Sequence, residues 1–283
     1  MESEELSDSV LQFLAGHSCL LLMFTRNGHA FSPLPFQAAS FMGPDLPEIL
    51  KYKGKTNPAF TRMMINCALS AARLLPSERV RVLDPVCGRG TTLYVSLCMG
   101  MHCAGIESRS GETAEADRYL QRYCTTLRLK FRRRAFSETV GGRGCPGVEY
   151  ELAPDTERFR QGDVRVLQLF TADSLLSPAL LKKRPPDLII ADLPYGVQHA
   201  PTHQGSLSDF QEMLSSVLPA WAQTLKAGGT MALSFNLFTL PRHRVISALK
   251  DAGMTPLETP LYASFAHEVE QAVRRDFVVA LKT

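Results

Sequence analysis

The sequence lacks any apolar run long enough to cross a membrane. Its longest early hydrophobic stretch is CLLLMF at 19–24, whereas a membrane-spanning helix needs about 20 predominantly apolar residues. The acidic start MESEELSD also lacks the basic region that opens a secretory signal or a transit peptide. These absences predict a chain without a membrane partner that resides in the cytoplasm or the nucleus.

Metal-binding cysteine motifs are absent as well. The seven cysteines include no C-x-x-C pair, and Cys67 and Cys98 fall among apolar residues at helical spacing. This pattern predicts reduced, buried thiols rather than a disulfide or zinc framework. His199 and His203 are four residues apart, but Pro201 lies between them and no third ligand is evident. We therefore expect no metal.

Repeats and low-complexity tracts are also missing from the 283 residues, of which 45% are hydrophobic. This composition is ordinary for a globular protein with a sizeable core. The formal net charge of +3 is weak evidence for a polyanionic partner, because the position of basic groups matters more than their sum. The length allows one large domain, which we expect at 51–283 after an N-terminal accessory segment at 1–50.

From residue 56 onward, apolar strands alternate with helical patterns. Buried strands are predicted for RVRVLD, MHCAGIE, DLIIAD and GTMALSFN, and AVRRDFVVALK gives a final strand. A helix is expected to begin at Pro58 after a cap at Thr56 or Asn57. The alternation predicts an α/β fold with a mostly parallel, doubly wound sheet. Ligands of such sheets bind beyond the carboxyl ends of the strands.

The loop DPVCGRGTT follows the strand that ends at Asp84. Gly88 and Gly90 allow close approach of a ligand to the backbone, and Glu107 ends the next strand, where it can accept hydrogen bonds from ribose hydroxyls. A dinucleotide fingerprint would need a glycine where Leu93 stands. The acid before the loop disfavours a pyrophosphate and suits a cation, so we predict S-adenosyl-L-methionine, whose methionyl end carries an ammonium and a sulfonium.

A further acid occurs in GDV at 162–164, which we interpret as following a third strand. There Asp163 could accept a hydrogen bond from an adenine amino group. An ordinary solvated turn is the alternative interpretation of this aspartate.

The loop DLPY follows the predicted strand DLIIA. An exocyclic amine of a nucleobase is a poor nucleophile, because its lone pair is delocalised into the ring. The Asp192 carboxylate and the Leu193 carbonyl can hold the amino hydrogens and aim the lone pair at a methyl group. Pro194 fixes the turn, and Tyr195 can stack on a base taken out of its helix. A structural Asp-Pro turn is the competing explanation.

Together, KGKTNPAFTRMMIN, LDPVCGRGTT, GIE, GDV and DLPYGVQ resemble the catalytic domain of the methyltransferases that modify guanine N2 in tRNA, relatives of the enzyme for guanosine position 10. The resemblance spans roughly 50–283 and implies a Rossmann-like class I methyltransferase fold with a final antiparallel strand. It implies cofactor contacts from Asp84, Pro85, Cys87, Gly88, Gly90, Thr91, Glu107, Asp163 and Asp192. It implies a catalytic loop made of Asp192, Leu193, Pro194 and Tyr195.

The chain departs from that family in two places. Leu193 replaces the first proline of the usual Asp-Pro-Pro-Tyr. The backbone carbonyl that can accept a hydrogen bond is retained in this replacement. The N-terminal RNA-binding domain of the family is not recognisable in the first 50 residues, so we expect an accessory protein subunit to replace it.

A basic stretch, RLKFRRR at 128–134, opens a predicted irregular, exposed insert that runs to about residue 150. Its basic residues are Arg128, Lys130, Arg132, Arg133 and Arg134. They could neutralise phosphates of tRNA or another nucleic acid, and Lys53 and Lys55 are expected to add to this patch. A solvated basic face without a ligand is the alternative.

These features predict an enzyme that methylates an exocyclic amino group of a nucleobase, with guanine N2 in tRNA as the leading substrate. Three alternatives stay open at the level of sequence. The same loop serves DNA adenine-N6 or cytosine-N4 methylation, the acceptor can be a protein or small-molecule amine, and the chain can be a non-catalytic RNA-binding scaffold.

Overall fold

The computed structural model describes residues 7–18, 20, 22–34, 40–52, 54–77, 79–193 and 207–283. The α-helices in these residues are α1 (Asp8–Ala15), α2 (Leu46–Ile49), α3 (Pro58–Ala71), α4 (Thr91–Cys98), α5 (Ser110–Thr126), α6 (Thr156–Arg160), α7 (Ser177–Leu180), α8 (Leu207–Thr224) and α9 (Arg242–Asp251). Short 3-10 turns cover Ser174–Leu176 and Pro260–Tyr262.

The strands of the same residues begin with a small hairpin of β1 (Phe24–Asn27) and β2 (Ala30–Pro33). The strands of the main sheet are β3 (Arg81–Asp84), β4 (His102–Glu107), β5 (Lys130–Val140), β6 (Arg143–Ala153), β7 (Arg165–Thr171), β8 (Leu188–Asp192), β9 (Thr230–Asn236), β10 (Thr255–Pro256), β11 (His267–Glu270) and β12 (Val273–Leu281).

The main sheet has the order β10-β12-β9-β8-β3-β4-β7-β6-β5, with β11 paired to β12. Its centre, β7-β4-β3-β8-β9, is parallel throughout. Within this parallel part, the chain first forms β3, β4 and β7 in order toward one side. It then returns to form β8 and β9 on the other side of β3. The strand order therefore reverses between β3 and β8, where doubly wound sheets bind ligands. The last strand, β12, is antiparallel to β9. This topology confirms the predicted Rossmann-like α/β fold with a final antiparallel strand.

Apolar residues of the central strands point alternately to the two faces of the sheet. Val82 and Ile190 pack with α3, α4 and α5 in one core cluster, whereas Leu83 and Ile189 pack with α8 and α9 in the other. Because both faces are covered, the strands are apolar on both sides, as expected for a parallel sheet.

Helix α3 begins as the sequence predicts. Asn57 is its N-cap, and the Asn57 side chain accepts hydrogen bonds from the backbone of Ala59 at 2.8 Å and of Phe60 at 3.4 Å. Pro58 occupies the first turn, where its missing N–H is not needed. The cap fixes the point at which the preceding segment leaves the helix, and that segment belongs to the site described below.

The end of the predicted accessory segment is part of the main core. Phe41, Met42 and Leu46 are buried in the cluster that contains α3, α4 and α5. The Phe41 backbone N–H donates to the Cys98 carbonyl at 2.9 Å, and the Tyr119 hydroxyl donates to the Leu46 carbonyl. The division between an accessory segment and a catalytic domain stays a prediction.

The irregular insert predicted after residue 128 is instead a long antiparallel hairpin. Strands β5 and β6 pair from Lys130 opposite Ala153 to Val140 opposite Arg143, and β6 continues the main sheet beside β7. The prediction was wrong because the charged side chains of this segment are compatible with an edge strand, where both faces meet water. The hairpin therefore extends the sheet beyond β7.

None of the described helices is both long and apolar enough to span a bilayer. The described residues contain no group of three or more His, Cys, Asp or Glu side chains arranged to hold a metal ion. The cysteines among them, Cys67, Cys87, Cys98, Cys103, Cys124 and Cys145, are free thiols.

Candidate functional site

The glycine loop lies between β3 and α4, at the carboxyl edge of the sheet. Gly88 has φ +49° and Gly90 has φ +92°, both in the left-handed region that favours glycine. The Cys87 N–H donates to the Ile106 carbonyl at 3.0 Å, and the Gly90 N–H donates to the Cys87 carbonyl at 2.8 Å. These bonds hold the loop against the end of β4. A Cβ at Gly88 would meet nothing within 4 Å, so the loop presents open space there.

Glu107 joins the end of β4 to the glycine loop. One carboxylate oxygen accepts the Gly88 N–H at 3.1 Å, and the other accepts the Arg109 N–H at 2.9 Å. Glu107 is itself buried. The predicted pair of Glu107 and the loop is therefore brought together, with the carboxylate at the end of the strand that neighbours β3.

Asp84 ends β3 beneath the loop and is buried. Its carboxylate accepts the Val86 N–H at 3.0 Å and a hydrogen bond from Thr92. The pKa of Asp84 is raised from 3.8 to about 7, chiefly by burial and also by the nearby charges of Asp192 and Glu107, against the lowering effect of the two hydrogen bonds. Asp84, at the end of β3, thus lies within electrostatic reach of the other two predicted acids, which end β4 and β8.

Asp192 ends β8, with 20% of its side chain exposed. Its Oδ2 accepts a hydrogen bond from the Thr56 hydroxyl, and the Arg275 guanidinium lies 3.8 Å from the same oxygen. Ser234 is its in-register neighbour on β9. The Ser234 Oγ is buried and finds no hydrogen-bond partner in the part of the chain that the structure describes. Among the described residues, the acid is therefore held by a hydroxyl from the segment just before α3 and by a guanidinium from β12.

Leu193 continues from β8 with its N–H donating to the Ser234 carbonyl at 2.9 Å, and its side chain is buried in the core with α8 and α9. A leucine at this point thus anchors the loop by packing. Pro194, Tyr195 and Lys53 lie outside the described residues, and their proposed roles stay predictions.

Pro85, Cys87 and Thr91 lie at the glycine loop as expected. The Cys87 thiol is buried, and burial raises its pKa well above the ordinary value. The Thr91 hydroxyl shares a hydrogen bond of 3.2 Å with the Tyr52 hydroxyl. Tyr52 was not predicted as a site residue, although it covers this loop together with Arg89, whose guanidinium lies 4.9 Å from the centre of the Tyr52 ring.

Asp163 lies away from the other acids. It precedes β7 instead of following a strand, so it lies at the amino edge of the sheet. Its carboxylate is 2.7 Å from Arg165, which also donates to the Gly100 carbonyl at 2.6 Å. The interpretation that GDV follows a strand was wrong, because α6 occupies 156–160.

The acid that follows β7 is Asp173. The preceding residue, Ala172, donates its N–H to the Glu107 carbonyl at 3.0 Å, which places this turn next to the end of β4. The Asp173 side chain is exposed and caps the following 3-10 turn by accepting the Leu175 N–H at 2.9 Å. The sequence signal that identifies it is TAD directly after the apolar run VLQLF.

The predicted basic patch is spread out by the hairpin. Arg132 pairs with Glu151 at 2.9 Å, Arg134 with Glu149 at 2.9 Å, and Arg133 with Asp117 of α5 at 2.6 Å. Strand alternation places Arg133 on the face opposite Arg132 and Arg134. The stretch therefore carries less unneutralised charge than its sequence implies.

The ends of the hairpin lie at opposite edges of the sheet. Its root, with Lys130 opposite Ala153, lies beside Arg165 at the amino end of β7. Gly147 pairs with Phe170 near the carboxyl end of β7, so the turn at 141–142 projects roughly 13 Å beyond that edge. The basic root is thus remote from the acids, whereas the glycine-rich tip lies on their side of the sheet.

Lys55 is turned toward α2. Its ammonium group donates to the Pro47 carbonyl at 2.5 Å and to the Glu48 carbonyl at 3.3 Å. Burial lowers its pKa. The structure does not bring Lys55 together with Arg128 or the hairpin root.

The chain matches no protein-family model, and no curated protein sequence is similar to it. Structures of methyltransferases and related proteins are similar to it in three dimensions. TrmN from Thermus thermophilus has 16% identity and a TM-score of 0.46, over 84% of this chain and 52% of TrmN. The chain thus spans about half of that protein.

Two further similar structures contain bound ligands. The Thermus thermophilus 16S rRNA N2 G1207 methyltransferase RsmC, in complex with AdoMet and guanosine, has 17% identity and a TM-score of 0.45, over 93% of this chain and 50% of RsmC. Magnesium protoporphyrin IX methyltransferase ChlM from Synechocystis PCC 6803, with bound SAM, has 15% identity and a TM-score of 0.45, over 84% and 90%. Similarity at this level concerns the fold alone.

Proposed function

We propose that this chain is an S-adenosyl-L-methionine-dependent methyltransferase that acts on an exocyclic amino group of a nucleobase, with guanine N2 in tRNA as the leading substrate. One observation carries the proposal. Asp84, Glu107 and Asp192, from three adjacent parallel strands, meet beside a glycine loop at the edge where the strand order reverses.

The residues of the site fit a cationic cofactor. Two further acids raise the pKa of an already buried Asp84, so the site holds an excess of negative charge that an ammonium and a sulfonium would offset. Glu107 would accept hydrogen bonds from the ribose, as the predicted strand-end acid. Asp173, rather than Asp163, would accept a hydrogen bond from the adenine amino group, because it follows β7 at the same edge as Glu107.

When bound, this cofactor supplies a methyl group on a positively charged sulfur. Asp192 would accept hydrogen bonds from the acceptor amine and orient its lone pair toward that carbon. With the methyl group leaving sulfur for the acceptor nitrogen, the Asp192 carboxylate would stabilise the positive charge that develops on that nitrogen. The surplus proton then passes to the carboxylate or to water. No covalent intermediate with the enzyme is required.

Contacts with nucleic acid are proposed for the root of the β5–β6 hairpin. Lys130 is exposed there, and Arg132 and Arg134 are 67% and 65% exposed on the same face. The strand register places these groups roughly 10 to 20 Å along β7 from the catalytic edge, with Arg134 nearest to it and Lys130 farthest. They would therefore contact the body of a tRNA rather than the target nucleotide. An accessory subunit and a cytoplasmic or nuclear location belong to the same proposal.

A second candidate acceptor is a protein or small-molecule amine. The ion pairs that Arg132, Arg133 and Arg134 make with acids of the same chain favour it, because they reduce the charge available to phosphates. In that case the Asp192 chemistry is unchanged and only the acceptor differs.

Nucleoside mass spectrometry tests the proposal. The protein is incubated with S-adenosyl-L-methionine and either unmodified tRNA or duplex DNA, and the products are digested to nucleosides. We expect N2-methylguanosine from tRNA, and we expect Asp192→Ala to abolish it while leaving cofactor binding largely intact. Methyl groups on DNA adenine or cytosine would redirect the substrate, and normal turnover by Asp192→Ala would refute the catalytic assignment.

A further inference from the structure

Arg275 is a buried cation in the middle of the last strand. Only 6% of it is exposed, although it lies in β12 between Arg274, which is exposed, and Asp276, which is buried. β12 is separated from β8 by β9. The Arg275 side chain nevertheless reaches across β9, because its guanidinium lies 3.8 Å from Asp192 Oδ2.

The guanidinium of Arg275 is also held by an aromatic ring. It lies 5.0 Å from the centre of the Phe60 ring, within the range of a cation–π interaction. Phe60 is fixed in turn by Phe277, edge to face at 5.7 Å, and by His267 at 5.2 Å. The side chain of Arg275 is therefore held on both sides before any ligand binds.

A second group, from the segment just before α3, reaches the same carboxylate oxygen. Thr56 precedes the Asn57 cap, and its hydroxyl donates to Asp192 Oδ2. Phe60 lies one turn further along the same helix. The start of α3 thus supplies both the hydroxyl on Asp192 and the ring beneath Arg275.

We infer that Thr56 and Arg275 are positioning residues that fix the orientation of the Asp192 carboxylate for the acceptor amine. This inference rests on the proposed function, since it assigns a role to groups that hold the proposed catalytic acid. Asp84 and Glu107 surround the site with like charge, and the Arg275 cation offsets this repulsion. A small displacement of a catalytic group costs up to about 100-fold in rate, so loss of either contact to the Asp192 carboxylate is expected to lower kcat.

Arg242, the first residue of α9, provides a matched control because it pairs with an acid of the same strand, β12. Its guanidinium lies 2.8 Å from Asp276, the residue next to Arg275, and Asp276 is 2% exposed. Alternation places Asp276 on the face of β12 opposite Arg275. Arg242→Met therefore removes a buried ion pair from β12 without removing a contact to Asp192.

The test compares Thr56→Val, Thr56→Ser, Arg275→Met, Arg275→Lys and Arg242→Met in the full chain. For each variant, kcat and KM are measured on tRNA, cofactor affinity by calorimetry and thermal unfolding by circular dichroism. We expect Thr56→Val and Arg275→Met to lower kcat by about 10- to 100-fold, with cofactor affinity changed less than about threefold. Thr56→Ser and Arg275→Lys should restore most of kcat, and Arg242→Met should lose thermal stability while keeping kcat.

Equal losses of kcat in Arg242→Met and Arg275→Met would overturn the inference, because they would show a general effect on β12. So would wild-type kcat in both Thr56→Val and Arg275→Met. If Arg275→Met does not fold, Thr56→Val and Arg275→Lys decide the question. Failure of the proposed function is distinct, because the wild-type chain itself would then transfer no methyl group to tRNA.

Discussion

Asp84 is buried beside two other acids. This position lowers the stability of the ligand-free fold but favours the binding of a cationic ligand. Its pKa of about 7 compares with 3.8 for an ordinary aspartate. Since the folded pKa is the higher one, the favourable contribution of Asp84 is present in full below pH 3.8 and is lost as pH rises through 7. Above that pH, keeping the buried carboxylate ionised costs up to about 4 kcal/mol.

The change Asp84→Asn removes this cost and keeps an oxygen that can accept the Val86 N–H. We expect the free energy of unfolding of the ligand-free variant to exceed that of wild type at pH 8.5 by roughly 1 to 4 kcal/mol, with a much smaller difference at pH 5. Urea unfolding at the two pH values measures this. A difference that does not grow with pH would contradict the buried-charge explanation.

The same carboxyl group links cofactor affinity to pH. A cationic ligand favours the ionised form of Asp84, so binding below pH 7 must displace a proton. We expect the affinity for S-adenosyl-L-methionine to increase as pH rises from 6 to 8. Calorimetry in buffers of different ionisation enthalpy should detect proton release at pH 6.5. Asp84→Asn serves as the control, and proton release that persists in this variant would assign the effect to another group.

At the scale of elements, the sequence identifies the strands that carry the acids because each strand is a short apolar run that ends in a charge. Asp84, Glu107 and Asp192 were all predicted from this local pattern. Thr56 and Arg275 were not, because their contacts with Asp192 join residues far apart in the chain, and no local pattern encodes such a contact. Position within the fold alone brings them together.

The hairpin explains the error at Asp163. In the segment KFRRRAF, both faces of β5 are largely exposed, so no apolar alternation marks the strand. Since β5 and β6 were not recognised, the order of elements between α5 and β7 was misassigned. GDV was interpreted as following a strand, whereas α6 precedes it and β7 follows it.

The root of the hairpin tests whether nucleic acid binds this element. We expect the double change Arg128→Gln and Lys130→Gln to weaken tRNA binding and to reduce its dependence on salt concentration by about one to two units of log–log slope. Cofactor affinity should not change. Both residues lie at the amino edge of the sheet, so the substitutions spare the acids. Fluorescence anisotropy over a range of salt concentrations measures the effect.

Arg143 at the hairpin tip is the matched comparison for that experiment. Arg143 is exposed, and the hairpin tip that carries it lies on the catalytic side of the sheet. A loss of tRNA affinity in Arg143→Gln but not in the double variant would move the nucleic-acid contacts from the root to the tip. Unchanged affinity in both variants would favour an acceptor other than a nucleic acid.

At the scale of the whole molecule, the extent of the catalytic unit depends on the residues that close its core. The exposed strands β1 and β2 show no burial at any position, whereas the short segment before α2 is buried between α4 and α5. Ser40 donates to the Met42 carbonyl at 2.6 Å, and the Tyr123 hydroxyl donates to Asp45 at 2.7 Å. These contacts join residues before the predicted boundary at residue 50 to the main core, so truncation on either side of them can test that boundary.

Two truncations test whether the catalytic unit includes residues 40–50. Removing 1–39 should leave cofactor affinity and the melting temperature close to those of the full chain. Removing 1–50 takes Phe41, Met42 and Leu46 out of the core, and each buried side chain of this size contributes roughly 1.5 to 3 kcal/mol. Their sum is comparable with the entire stability of an ordinary domain, about 5 to 15 kcal/mol. We therefore expect the shorter chain to lose cooperative unfolding in differential scanning calorimetry, and cooperative unfolding at an unchanged temperature would place the boundary at residue 50 after all.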